Sequence, residues 1–165
     1  METLIQIRHI SQLPYGRLME LYSQDLQENA RQHYPKLSAN AALIAAEQDF
    51  YGFMKEVFFQ TPNACLYVWA VEGQWRSALR LEPYEDGYLI CGITTEPAYR
   101  RCGYAKRLLE SVLQQQNGKL YSHVEKLNFP SLQLHENCGF VKQQEWAKML
   151  NGEILHNFWT LCHGK

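Results

Sequence analysis

The run Arg100-Arg101-Cys102-Gly103-Tyr104-Ala105 is where residue type and spacing in this chain suit a chemical task. It stands before an amphipathic segment in which Ala105, Leu108, Leu109, Val112 and Leu113 recur at helical spacing. The first N–H groups of a helix have no intrahelical acceptor, and the macrodipole makes that end electropositive. An anion seated there accepts several backbone hydrogen bonds at once. Gly103 lets the backbone approach it closely, and the small Ala105 leaves room. Arg100, Arg101, Lys106 and Arg107 add positive charge suited to a pyrophosphate. The run lacks the Gly-Lys-Ser/Thr ending of a nucleotide-triphosphate loop, and its single glycine excludes a dinucleotide fingerprint. Arg-x-x-Gly-x-Ala alone is a common string; its place at a strand-to-helix junction gives it weight. The bland alternative is a solvated basic first turn.

The elements that must position this loop follow from periodicity. Residues 4–10 alternate as a strand. Pro14 then opens a helix whose apolar face (Tyr15, Leu18, Met19, Tyr22, Leu26) runs to about residue 30, where His33-Tyr34-Pro35 breaks it. Ser38 is the expected N-cap of a second helix, lined on one side by Leu43, Ala46, Phe50, Met54 and Phe58. Residues 64–71 read as a buried central strand, followed by strands over 75–81 and 88–95. After the helix that follows the loop, Asn117-Gly118 precedes a strand over 120–124, and Pro130 opens a short helix to about Asn137. Asn151-Gly152 marks a hairpin between 140–149 and 153–162. The order is β-α-α-β-β-β-α-β-α-β-β, a mixed α/β domain spanning 1–165 without repeats or linkers.

Length and composition set limits. The 165 residues suffice for one core, and 46% hydrophobic with 20% charged residues is ordinary for a globular chain. A net charge of −1 argues against a nucleic-acid partner. No apolar run would span a bilayer and no secretory signal opens the chain, so a cytoplasmic protein without a membrane partner is expected. The five cysteines, at 65, 91, 102, 138 and 162, lack metal-ligand spacing, so no metal is expected and they read as reduced, small apolar residues. Cys102 stands out only by its place in the loop.

The stretch Ile93-Thr94-Thr95-Glu96-Pro97-Ala98-Tyr99 leading into residues 100–105 resembles the acetyl-CoA motif of the GNAT N-acetyltransferase superfamily. Residues 124–131, followed by Leu134-His135-Glu136-Asn137-Cys138-Gly139-Phe140, resemble that family's next segment, at the right separation. The resemblance covers roughly residues 64–145. It implies a central twisted mixed sheet of about six to seven strands flanked by about four helices. It also implies acetyl-CoA as acyl donor, with no metal. Ile93, Thr94 and Thr95 would pair with the pantetheine arm. Arg100, Arg101, Cys102, Gly103, Tyr104, Ala105 and Lys106 would hold the pyrophosphate, and Asn128 would touch the ligand or else cap its helix.

Here the chain departs from the family: where many members carry a tyrosine that protonates the departing thiolate, it has His135. Histidine, with an ordinary pKa near 6.5, is a candidate general acid or hydrogen-bond donor to the sulfur. The alternatives are a histidine that only packs, or lost catalysis. The implied reaction is acetyl transfer to an amine, a small molecule favoured over a protein, by a monomer or homodimer. The alternative is an inactive acyl-CoA-binding sensor or scaffold; a nucleotide-binding or structural α/β domain would ignore the second motif. Glu96, His123 and Glu125 fall near the cleft, though none stands out as a base, and Cys102 has no visible partner base for an acyl-enzyme. The N-terminal helices and last hairpin would build the acceptor site, with Tyr22, Tyr34, Phe58, Phe59, Trp75 and Trp146 as its aromatics, unless these serve as core.

Overall fold

In the computed structural model, which describes residues 1–164, the chain forms strands β1 (Glu2–Ile7), β2 (Cys65–Val71), β3 (Gln74–Tyr84), β4 (Gly87–Thr95), β5 (Lys119–Glu125), β6 (Val141–Gln144), β7 (Ala147–Lys148), β8 (Ile154–Leu155) and β9 (Phe158–His163). The helices are α1 (Tyr15–Leu21), α2 (Ser23–His33), α3 (Ala39–Phe53), α4 (Tyr104–Gln115) and α5 (Phe129–Asn137). Seven strands make the mixed sheet that the family resemblance implies, in the order β1-β2-β3-β4-β5-β9-β6. Neighbours are antiparallel except β4 and β5, which run parallel because α4 carries the chain across. No helix among the described residues is long and apolar enough to cross a membrane.

The strands bury both faces. Leu66, Val68 and Ala70 of β2 and Ala78 of β3 pack against Leu18, Leu26, Ala42 and Ala46 of α1, α2 and α3. On the other face Tyr67, Leu79, Leu81 and Ile90 meet Leu108, Leu109 and Val112 of α4 and Leu132 of α5. This is the period-2 alternation of strands meeting the apolar stripes of helices.

Three details differ from the pattern read in the sequence. The first helix is two, broken at Tyr22, whose backbone (φ −92°, ψ 12°) leaves the helical range. The break keeps Tyr22 buried and lets its hydroxyl donate to the Gly92 carbonyl at 3.0 Å. The second helix, capped as expected by Ser38 accepting from the Ala41 N–H at 3.2 Å, passes at Met54 into a π-helical turn to Phe58. Finally, the Asn151-Gly152 turn closes only the two-residue ladder of β7 and β8, while β6 pairs separately with β9. The hairpin tip thereby folds over one face of the sheet beside β5.

Candidate functional site

The parallel pair β4–β5 is short. Its register runs from Gly87 opposite Lys119 to Ile90 opposite Ser122 and ends there. Beyond that point β4 continues to Thr95 beside β3 alone, and β5 to Glu125 beside β9 alone. A bulge accounts for the parting. Ala78 pairs with Thr94 and Arg80 with Cys91, so Gly92 and Ile93 together oppose Leu79. Gly92 takes φ +58°, a conformation that glycine reaches without strain. The Ser77 hydroxyl then holds the displaced end of β4, donating to the Thr94 carbonyl at 2.8 Å with the Thr95 hydroxyl 3.1 Å away. Ile93, Thr94 and Thr95 thus line one wall of a gap between two diverging strands.

The loop at 100–105 follows. Glu96 leaves β4 in an ion pair with Arg76 at 2.5 Å, and the Arg76 guanidinium stacks 3.7 Å from the Tyr99 ring centre. Arg101 (φ +63°) and Gly103 (φ +82°) turn the chain sharply into α4. Gly103 is the N-cap and brings no capping side chain; the first helical bond runs from the Arg107 N–H to the Gly103 carbonyl at 3.0 Å. The N–H groups of Tyr104, Ala105 and Lys106 therefore lack intrahelical acceptors. Of the cations around them, Arg100 donates to Gln24 of α2 at 2.5 Å. Lys106 approaches Glu110 at 3.8 Å, and Arg107 approaches Glu2 at 3.4 Å. Cys102 is exposed.

α5 lies beside the gap. Asn128 caps it, its side-chain oxygen accepting from the Ser131 N–H at 3.3 Å. His135, one turn further on, points inward and is only 2% exposed. Its Nδ1 lies 2.7 Å from the Ser131 carbonyl, and its Nε2 lies 2.8 Å from the Ser122 hydroxyl. A carbonyl can only accept, so Nδ1 carries the proton and Nε2 accepts from Ser122. Burial holds the imidazole below its ordinary pKa, only partly offset by the Ser131 carbonyl, so the ring is neutral near pH 7. The position that invites a proton donor holds a neutral ring with both nitrogens engaged.

On the opposite face of the sheet, the parted strands floor a groove of about 440 Å³. Arg80 and Glu82 of β3, Cys91 of β4 and His123 of β5 line it together with Phe53 and Phe158. Residues 149–151 of the hairpin tip form the far wall. Burial raises the Cys91 thiol to about 12, so it stays protonated. His123 is lowered by burial; its Nε2 has no hydrogen-bond partner, and its ring meets Tyr84 edge-on at 5.3 Å.

Of the acidic and basic residues expected near the cleft, His123 reaches the groove, Glu96 is tied to Arg76, and Glu125 ends β5 exposed. None of the six aromatics expected to line the acceptor site lines this groove. Phe58 and Trp75 are core, whereas Trp146 borders the neighbouring cavity with Tyr84 and Tyr121. Arg80, Glu82 and Cys91 escaped the sequence reading. Their signal was two charged residues alternating with leucine in β3, Leu79-Arg80-Leu81-Glu82.

The sequence matches the model of the acetyltransferase (GNAT) family over residues 17–140. No curated protein sequence matches it significantly. Among solved structures it resembles the paia N-acetyltransferase of Thermoplasma acidophilum in complex with coenzyme A, at TM-score 0.63 and 10% identity, covering 97% of this chain and 98% of that one. It also resembles the ribosomal-protein-S18-alanine N-acetyltransferase of Escherichia coli (0.61, 17% identity, 98% and 92% covered). A third is the IAA acetyltransferase of Bacillus cereus (0.61, 15% identity, 98% of each chain). These identities speak for a shared fold.

Proposed function

The chain belongs to the acetyltransferase (GNAT) family, and from that premise we propose that it transfers an acetyl group from acetyl-CoA directly to an amine, a small molecule in preference to a protein. The observation that carries this reading is the gap between β4 and β5: on one face it meets the anion-receptive start of α4, on the other the groove. A donor whose pyrophosphate rests on the N–H groups of residues 104–106 would thread its arm along Ile93, Thr94 and Thr95. Its thioester would then face the acceptor. Asn128, whose oxygen is spent on the cap, would offer its amide N–H groups to that arm. The walled groove, at about 440 Å³, falls within the roughly 300–1,000 Å³ of small-molecule sites.

The ammonium of the acceptor loses a proton, and its lone pair attacks the thioester carbonyl carbon. The carbon–sulfur bond then breaks, the nitrogen sheds a second proton, and the thiolate takes one up. His135, the residue expected to supply that last proton, has none at Nε2 in its neutral form. The single hydrogen of the Ser122 hydroxyl is directed at that same nitrogen, so the pair holds β5 against α5 and the thiolate takes its proton from solvent.

The second reading, an acyl-CoA-binding sensor, is favoured by the same observation: a buried neutral ring stands where the family's acid is expected. Thiol release from acetyl-CoA with a panel of amines separates the two. Amine-dependent turnover supports the enzyme; tight binding without turnover supports the sensor.

A further inference from the structure

The groove contains two opposite charges that the protein leaves apart. Arg80 and Glu82 lie on the same face of β3, with Leu81 between them turned to the opposite core. Glu82 is only 5% exposed, yet among the described residues neither it nor Arg80 takes part in an ion pair within 4 Å. Arg80 Nε is buried without a hydrogen-bond partner. Charges removed from water in this way are normally paired.

Arg80 is nevertheless held in place. Its guanidinium carbon sits 5.3 Å from the Phe53 ring centre. Nη1 packs so closely on Gly92 that a Cβ there would stand 2.8 Å away. The neutral Tyr22 hydroxyl stands within hydrogen-bond reach of the guanidinium, and Asp25 lies near it without forming an ion pair. The cation is thus fixed beside the bulge of β4, at the mouth of the gap. Glu82 lies one strand repeat away, about 6–7 Å along β3, near His123, whose Nε2 also lacks a partner. Leu89, Met149, Leu150 and Phe158 make the remaining surface apolar.

Building on the acetyltransferase reading, we infer that the acceptor is a free α-amino acid with an apolar side chain. Its carboxylate lies on Arg80, its amino group faces Glu82 and His123, and its side chain rests against the apolar wall. A charge-assisted bond of about 2.7–2.9 Å at each end spans the interval between Arg80 and Glu82 with the two ionic groups of one small molecule. The half-buried Arg80 and the buried Glu82, which have only the neutral Tyr22 hydroxyl and Cys91 thiol beside them, then each gain an opposite charge. A polyamine leaves Arg80 unmatched, and an amino-acid amide leaves it facing a neutral group.

The test compares leucine, methionine and phenylalanine with their amides and with putrescine, measuring thiol release from acetyl-CoA, with acetyl-CoA binding followed separately by thermal shift. The amides carry the more readily deprotonated amine, so unaided chemistry favours them. The expected result is a kcat/KM at least 100-fold higher for the acids. Arg80→Met should abolish that preference by weakening the acids and sparing the amides, and Arg80→Lys should restore part of it. Amides or putrescine used as well as the acids overturn the inference, and leave the acetyltransferase reading standing. Acetyl-CoA binding without turnover of any amino acid overturns it too. Failure to bind acetyl-CoA removes both. The wild-type comparison alone decides the matter should a variant fail to fold.

Discussion

The Ser122 hydroxyl and His135 Nε2 lie 2.8 Å apart, joining β5 to α5 at the residue where β4 and β5 part. Both residues are buried, and the Phe140 ring stands edge-on to the imidazole at 5.1 Å. A polar pair closed off in this way is costly to break, because each group loses its only compensation for leaving water.

Ser122→Ala should therefore separate stability from turnover. It leaves Nε2 unsatisfied and should lower unfolding free energy by about 1–3 kcal/mol, read by urea titration. Because the pair holds β5 against α5 without giving up a proton, kcat of the folded variant and the KM for acetyl-CoA should change little. A fall in kcat of tenfold or more in the folded variant would instead give the hydroxyl a part in the chemistry.

Acid should weaken the fold through the same region. Unfolded histidines titrate near 6.5, whereas burial holds both His123 and His135 lower in the folded chain. Between the two values the unfolded state binds more protons, so stability rises with pH through that window. The contribution is complete above about pH 6.5 and is lost below it, by at most about 1.4 kcal/mol per pH unit for each histidine. Melting temperature should thus fall from about pH 7.5 to about pH 5.5, and less steeply in His135→Asn. Equal slopes would remove His135 from this account.

Gly92→Ala should damage the acceptor side selectively. The added Cβ meets the Arg80 guanidinium, and φ +58° strains any side chain. The expected outcome is a rise of at least tenfold in acceptor KM, with acetyl-CoA still raising the melting temperature. An unchanged acceptor KM would mean that Arg80 does not position the acceptor.

Local signals explain what the sequence disclosed. The loop, the apolar stripe of α4 and the run at 64–71 each specify their own conformation within a few residues, so most of the order of elements was legible, and the mixed sheet followed from the family resemblance that residues 93–105 and 124–140 carry. The break at Tyr22 was hidden because Leu18, Tyr22 and Leu26 keep a continuous helical period and no glycine or proline marks the bend. The position of His135 was legible, but its environment depends on Ser122, brought to it across the fold. The groove was least legible. It draws on β3, β4, β5, the end of α3 and the hairpin tip, and its floor depends on the bulge at Gly92. A register shift of that kind redirects side chains without any mark in hydrophobic period.

The central claim is that the start of α4 receives the donor's pyrophosphate, and a thermal-shift titration with acetyl-CoA, CoA and ATP on wild type and Gly103→Asp tests it most directly. Gly103 has open space around its Cα but sits at φ +82°, so aspartate there adds a negative charge and backbone strain where the anion would rest. At ligand concentrations about a hundredfold above Kd, binding to the folded state contributes about 2.7 kcal/mol, a rise of roughly 5–10 °C for a chain of this size. The account predicts that rise for wild type with both CoA species, little response to ATP, and none in the folded Gly103→Asp variant. No shift with acetyl-CoA, or an equal shift in the variant, would contradict it.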